Sequence, residues 1–100
     1  MKKVGIIYSP GFGAGWSTWN EPSMALDQEL AHLIYSGNVG EDGINRVAKQ
    51  NWPRAYLGGL DNAVVQWVDE GTEFFIDEYD GAESIIFRDD EEVWIKATTN

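Results

Sequence analysis

The apolar residues of this chain change their period once, and that change decides the fold class. From about Ser23, the residues Leu26, Leu30, Leu33 and Ile34 recur at helical spacing, with Asp27, Gln28, Glu29 and His32 on the other faces and Gly37 placed as a C-terminal cap. A second, shorter helix starting near Gly43 is predicted by Ile44, Val47 and Ala48, with Asp42 as its cap and Trp52-Pro53 as its stop. After the loop Pro53–Asn62 the period becomes two. Ala63–Val68, Thr72–Tyr79, Glu83–Arg88 and Val93–Thr98 are strand candidates rich in β-branched and aromatic residues. Asp69-Glu70-Gly71 and Asp80-Gly81 read as hairpin turns, and Asp89–Glu92 as a charged connection. Ahead of the helices, Lys3–Ser9 reads as a strand that stops at Pro10, and its near-continuous Val4, Ile6, Ile7 and Tyr8 predict burial on both faces.

The order β-α-α-β-β-β-β predicts an α+β fold. One central N-terminal strand carries two helices packed on a mainly antiparallel sheet, and the last forty residues form a C-terminal meander. With 100 residues the chain is expected to form one domain, 1–100, with a modest core of its own. If the first strand runs upward, the first helix descends and the second climbs again, so the second strand starts where the first ended and runs antiparallel to it. That places the loops Gly11–Asn20 and Pro53–Asn62, both glycine-bearing, at one edge of the sheet.

Composition narrows the function classes. The chain is 43% apolar, which suits a globular protein. Without cysteine there is no disulfide framework and no thiolate metal site. Nothing at the start resembles a secretory signal, and no run approaches the ~20 apolar residues of a membrane span, so the expected setting is the cytoplasm. The net charge is -10, and its distribution is uneven: residues 1–60 hold five acids and five bases, whereas residues 61–100 hold twelve acids against Arg88 and Lys96. Such a surface repels nucleic acid and favours a basic protein partner, or simply keeps a small protein soluble.

One stretch has the layout of a binding loop. In YSPGFGAGWSTWN, Gly11, Gly13 and Gly15 alternate between a strand and a helix, an arrangement that lets backbone N–H groups converge on an anion. Trp16 stands where a dinucleotide fingerprint needs glycine, and Trp16-Ser17-Thr18 stands where a P-loop needs Gly-Lys-Ser/Thr, so neither chemistry is supported. What remains is a cradle with Phe12 at its tip and Trp16 and Trp19 at its exit. A base would stack on an indole while phosphates meet the amides and the hydroxyls of Ser17 and Thr18. The facing loop would add Arg54, Tyr56 and the amides of Gly58 and Gly59. The competing reading is structural: Trp16 and Trp19, three residues apart, pack under the first helix and the glycines only permit the turn.

Other constellations point away from chemistry. His32 is the sole histidine and reads as an exposed helix residue. The carboxylates at Asp77, Glu78 and Asp80 and at Asp89–Glu92 lack the spacing of a calcium loop and read as solvated faces. No metal site, cofactor or catalytic residue is assigned, and an enzyme using scattered acids is the least supported class.

The segments YSPGFGAGWSTWN and YLGGLDNAVVQWVDEGTEFFIDEYDGAESI together resemble a family of small bacteriophage- and prophage-encoded proteins. The resemblance covers roughly half the chain and carries no residue roles. It implies a setting, the cytoplasm of a bacterial host, in which short acidic proteins interfere with host defence by sequestering nucleotide signals or by occupying nucleic-acid sites on host enzymes. Two functions follow as expectations. The first is a non-catalytic binding protein holding a phosphate-bearing ligand, a nucleotide or cyclic nucleotide, between the two glycine loops. The alternative is an acidic nucleic-acid mimic that covers a basic host protein. Neither involves a membrane or direct nucleic-acid binding, and either is compatible with a homodimer through an apolar face.

Overall fold

A computed structural model describes residues 2–88. The chain is α+β: β1 (Lys3–Tyr8), α1 (Gln28–Ser36), α2 (Glu41–Asn51), β2 (Val64–Asp69), β3 (Phe74–Tyr79) and β4 (Ala82–Phe87), with short 3₁₀ turns at Pro22–Leu26 and Gly58–Asn62. The expected fourth strand of the C-terminal stretch, Val93–Thr98, and the connection Asp89–Glu92 lie outside the described residues.

β1 and β2 pair antiparallel from Lys3↔Asp69 to Tyr8↔Val64, as the direction of the intervening helices requires. A Lys3–Asp69 ion pair closes one end. The α1 helix lies on this pair at Gly5, where a Cβ would come within 2.9 Å of Ala31 and 3.0 Å of Trp67, so only glycine lets helix and strand approach. The other edge of β1 is covered by a side chain. Gln28 accepts from Gly5 N and donates to Gly5 O, both at 2.9 Å, standing in for a neighbouring strand. Ile7, Trp16, Met24, Leu30, Ala31, Ala48 and Leu60 fill the core, with Trp52 and Trp67 half-buried at its margin.

Three features differ from the sequence expectation. The first helix does not run unbroken from Ser23. A 3₁₀ turn ends at Leu26, and α1 restarts after Asp27, whose extended backbone (φ -69, ψ 98) and side chain bound to Leu30 N make it an N-cap. The same carboxylate accepts from Trp52 Nε1 and Asn51 Nδ2, tying α1 to the end of α2. The second helix starts at Glu41 with Gly40, not Asp42, at its cap, and Glu41 and Asp42 lie in its first turn where acids suit the dipole. The described strands, finally, fall into two antiparallel pairs within the expected α+β fold. β2 belongs to β1, and β3 and β4 form a separate antiparallel hairpin, Phe74↔Phe87 to Tyr79↔Ala82. Among the described residues β1 is therefore paired on one side only. The hairpin's contacts to the rest of the fold include its tip, where Glu83 N donates to Ser9 O and Gly13 N to Asp80 O.

Candidate functional site

The hairpin tip docks on the glycine-rich loop, and Glu83 makes the decisive contact. Glu83 lies on β4 two residues after the turn, on the same face as Ile85 and Phe87, and its side chain enters the loop almost fully buried, at 3% exposure. Its carboxylate accepts four hydrogen bonds: from Ser9 N (2.8 Å), Trp16 N (2.8 Å), Thr18 N (3.0 Å) and Thr18 Oγ1 (2.6 Å). Its own amide donates to Ser9 O at 2.7 Å. The amides that converge here are those of Ser9, Trp16 and Thr18, not those of Gly11, Gly13 and Gly15 expected from the sequence, and the anion they hold is a carboxylate of the same chain.

The rest of the tip follows the same seat. Asp80 and Gly81, both at positive φ (53° and 86°), form the two-residue turn. Gly13 N donates to Asp80 O at 3.3 Å, and a Cβ on Gly81 would lie 2.6 Å from Ala14 N, so the turn rests directly on the loop backbone. Trp19 Nε1 donates to Glu78 Oε1 at 3.2 Å. The loop's inner wall is Ser9, whose hydroxyl donates to Ala14 O at 3.2 Å.

The two glycine loops do meet. A Cβ on Gly59 would fall 2.4 Å from Gly15 O, so the backbones are in contact and leave no room between them for a ligand at that point. Asn20 bridges them further, donating to Tyr56 O (2.9 Å) and accepting from Tyr56 N (2.8 Å).

The candidate ligand residues thus divide. Trp16 is fully buried, with its indole N–H donating to Met24 O at 3.0 Å, so it is a core residue and not a stacking platform. Gly15, Ser17 and Gly59 are buried, and the amides of Trp16 and Thr18 are engaged by Glu83. Gly58 is half-buried beneath the Tyr56 ring, Gly11 packs near Asn62, and Phe12 and Gly13 are exposed at the loop tip. Trp19 and Tyr56 remain on the surface as a stacked pair, 5.9 Å between ring centroids and 26° between planes. Arg54 is exposed beside a cleft of about 360 Å³ shared by Asn20, Met24 and Trp52. His32 is exposed and tilts against Trp67 at 5.1 Å.

Glu83 is the residue that sequence reasoning missed. Its signal was the alternation itself, because Glu83, Ile85 and Phe87 share a face and place a carboxylate on the side that packs. Among the described residues no group of three or more histidines and carboxylates is arranged to hold a metal ion, and no helix is long and apolar enough to cross a membrane.

With its inner face seated, the hairpin turns the other face outward. Phe75, Asp77 and Tyr79 of β3 stand opposite Ile86, Ser84 and Ala82 of β4. Phe75 is 47% and Tyr79 76% exposed, an aromatic pair flanking a carboxylate. Neither protein-family models, nor curated proteins, nor solved structures yield a match to this chain.

Proposed function

We propose that this chain is a non-catalytic interaction module that presents the outer face of β3–β4 to a basic protein partner. The observation that carries this reading is the seating of Glu83, which employs the loop donors internally and holds Phe75, Asp77 and Tyr79 in solvent. Exposed aromatics are the usual anchors of an interface, and surrounding acids steer a cationic surface toward it. The charge imbalance of residues 61–100 supports the same partner class. The test is biosensor binding to a panel of purified basic proteins at low and moderate salt. At least one binds with micromolar affinity or better, weakens with salt, and loses at least tenfold on Tyr79→Ser and on Asp77→Lys. A panel without binders, or binding indifferent to both substitutions, overturns the reading.

A second reading keeps a phosphate-bearing small ligand, a nucleotide or cyclic nucleotide, at the surface pair Trp19–Tyr56 with Arg54 for its phosphate. Thermal unfolding against a nucleotide panel tests it, because a ligand at a hundredfold excess over Kd adds about 2.7 kcal/mol. A shift removed by both Arg54→Ala and Tyr56→Ala supports it, and a flat panel rejects it.

A further inference from the structure

β3 has a second edge. The hairpin closes on Tyr79↔Ala82 around a two-residue turn, and Arg88 N donates to Glu73 O at 3.1 Å at the far end. Both facts place the hydrogen-bonded pairs at 73–88, 75–86, 77–84 and 79–82, since the ladder alternates. The N–H and C=O groups of Phe74 and Ile76 therefore point away from β4. The same alternation sends the Glu83 amide outward on β4, where it meets Ser9 O at 2.7 Å, as this register requires. On the β3 side no partner is found among the described residues.

That edge borders a cleft of about 480 Å³, lined by Phe74, Phe75 and Ile76 on one side and by Pro22, Ala25 and Leu26 on the other. Three consecutive strand residues alternate faces, so a cleft that touches all three runs along the strand's edge. Its walls are mainly apolar, with Leu26 43% exposed, and Ser17, Thr18 and Ser23 add hydroxyls to the lining. Two exposed carboxylates adjoin its lining residues in the chain: Glu21 precedes Pro22 at the start of the 3₁₀ turn, and Asp77 follows Ile76 on the outward face of β3.

We propose that this edge takes an extended segment of the basic partner as a third strand, a mode that rests on the interaction reading above. Backbone pairing to Phe74 and Ile76 gives register, alternate apolar side chains enter the cleft beside Ala25 and Leu26, and the intervening lysines or arginines lie along Asp77. A basic segment suits this edge better than a second copy of this chain, because two copies of net charge -10 repel one another.

The probe is a blocked heptapeptide alternating lysine and valine, with two further versions N-methylated on all valines or on all lysines. Charge and side chains are unchanged in both, and each version blocks one edge of the peptide. Calorimetry should show the parent binding, one methylated version at least tenfold weaker and the other close to the parent. Amide exchange should show Phe74 and Ile76 gaining protection with the parent. No binding by the parent, or loss by both methylated versions or by neither, overturns strand addition. Edge-dependent binding that ignores salt and Asp77→Lys would instead contradict the acidic-face reading while leaving strand addition in place. All of these variations leave the hairpin's own ladder intact.

Discussion

Burying a carboxylate is costly unless every lone pair it exposes is met, and Glu83 meets that condition with three backbone amides and one hydroxyl. Removing it orphans the buried amides of Ser9 and Trp16 together with the part-buried amide and hydroxyl of Thr18. Glu83→Ala should therefore destabilise by about 3–5 kcal/mol in urea unfolding, because each unpaired buried donor carries its own desolvation cost. Glu83→Gln should cost less than Ala, since its oxygen still accepts from Trp16 and Thr18 while its NH₂ opposes the Ser9 amide. Equal losses for Gln and Ala would show that the donors are not the source of the effect. Gly59→Ala is a second residue-scale test. The new methyl would lie 2.4 Å from Gly15 O, against backbone that cannot rotate aside, and should cost about 2–3 kcal/mol by the same measurement.

At the scale of elements, the sequence was legible wherever one period governed a segment. β1, the α1 end at Gly37, the stop of α2 before Pro53 and the strand runs 64–69, 74–79 and 82–87 all follow from apolar spacing and turn residues. It was less legible where a polar side chain overrode the period. Asp27 sits at a position compatible with a continuous helix, but capping Leu30 and binding Trp52 Nε1 outweighs one more helical turn. Asp27→Ala should thus cost about 1–3 kcal/mol, read from thermal or urea unfolding, more than an exposed helix substitution would. The division of the strands into two pairs was hidden for a related reason: alternation reveals which face packs but not against what. A two-stranded hairpin is marginal alone, so β3–β4 depends on its seat. Weakening that seat with Glu83→Gln should speed amide exchange in the hairpin by at least tenfold while leaving the β1–β2 ladder close to the parent rate. Uniform acceleration across both pairs would mean that the hairpin is not a separable unit.

For the whole molecule, the acidic excess and the glycine loop are parts of one arrangement. The amides that hold an anion at this loop belong to Ser9, Trp16 and Thr18 and not to Gly11, Gly13 or Gly15, and what one sequence could not reveal was that the anion is covalently part of the chain, 65 to 74 residues away. The loop thereby fixes how an acidic, aromatic hairpin faces solvent, and the proposed function rests on that outward face. The most direct test is residue-resolved amide exchange of Trp16 and Thr18, measured in the parent chain with and without added phosphate and in Glu83→Ala. The seated Glu83 carboxylate predicts strong protection in the parent, indifferent to phosphate, and a loss of at least tenfold in the variant. Unchanged protection in Glu83→Ala, or protection in the parent that appears only with phosphate, would contradict it and return the loop to an external anion.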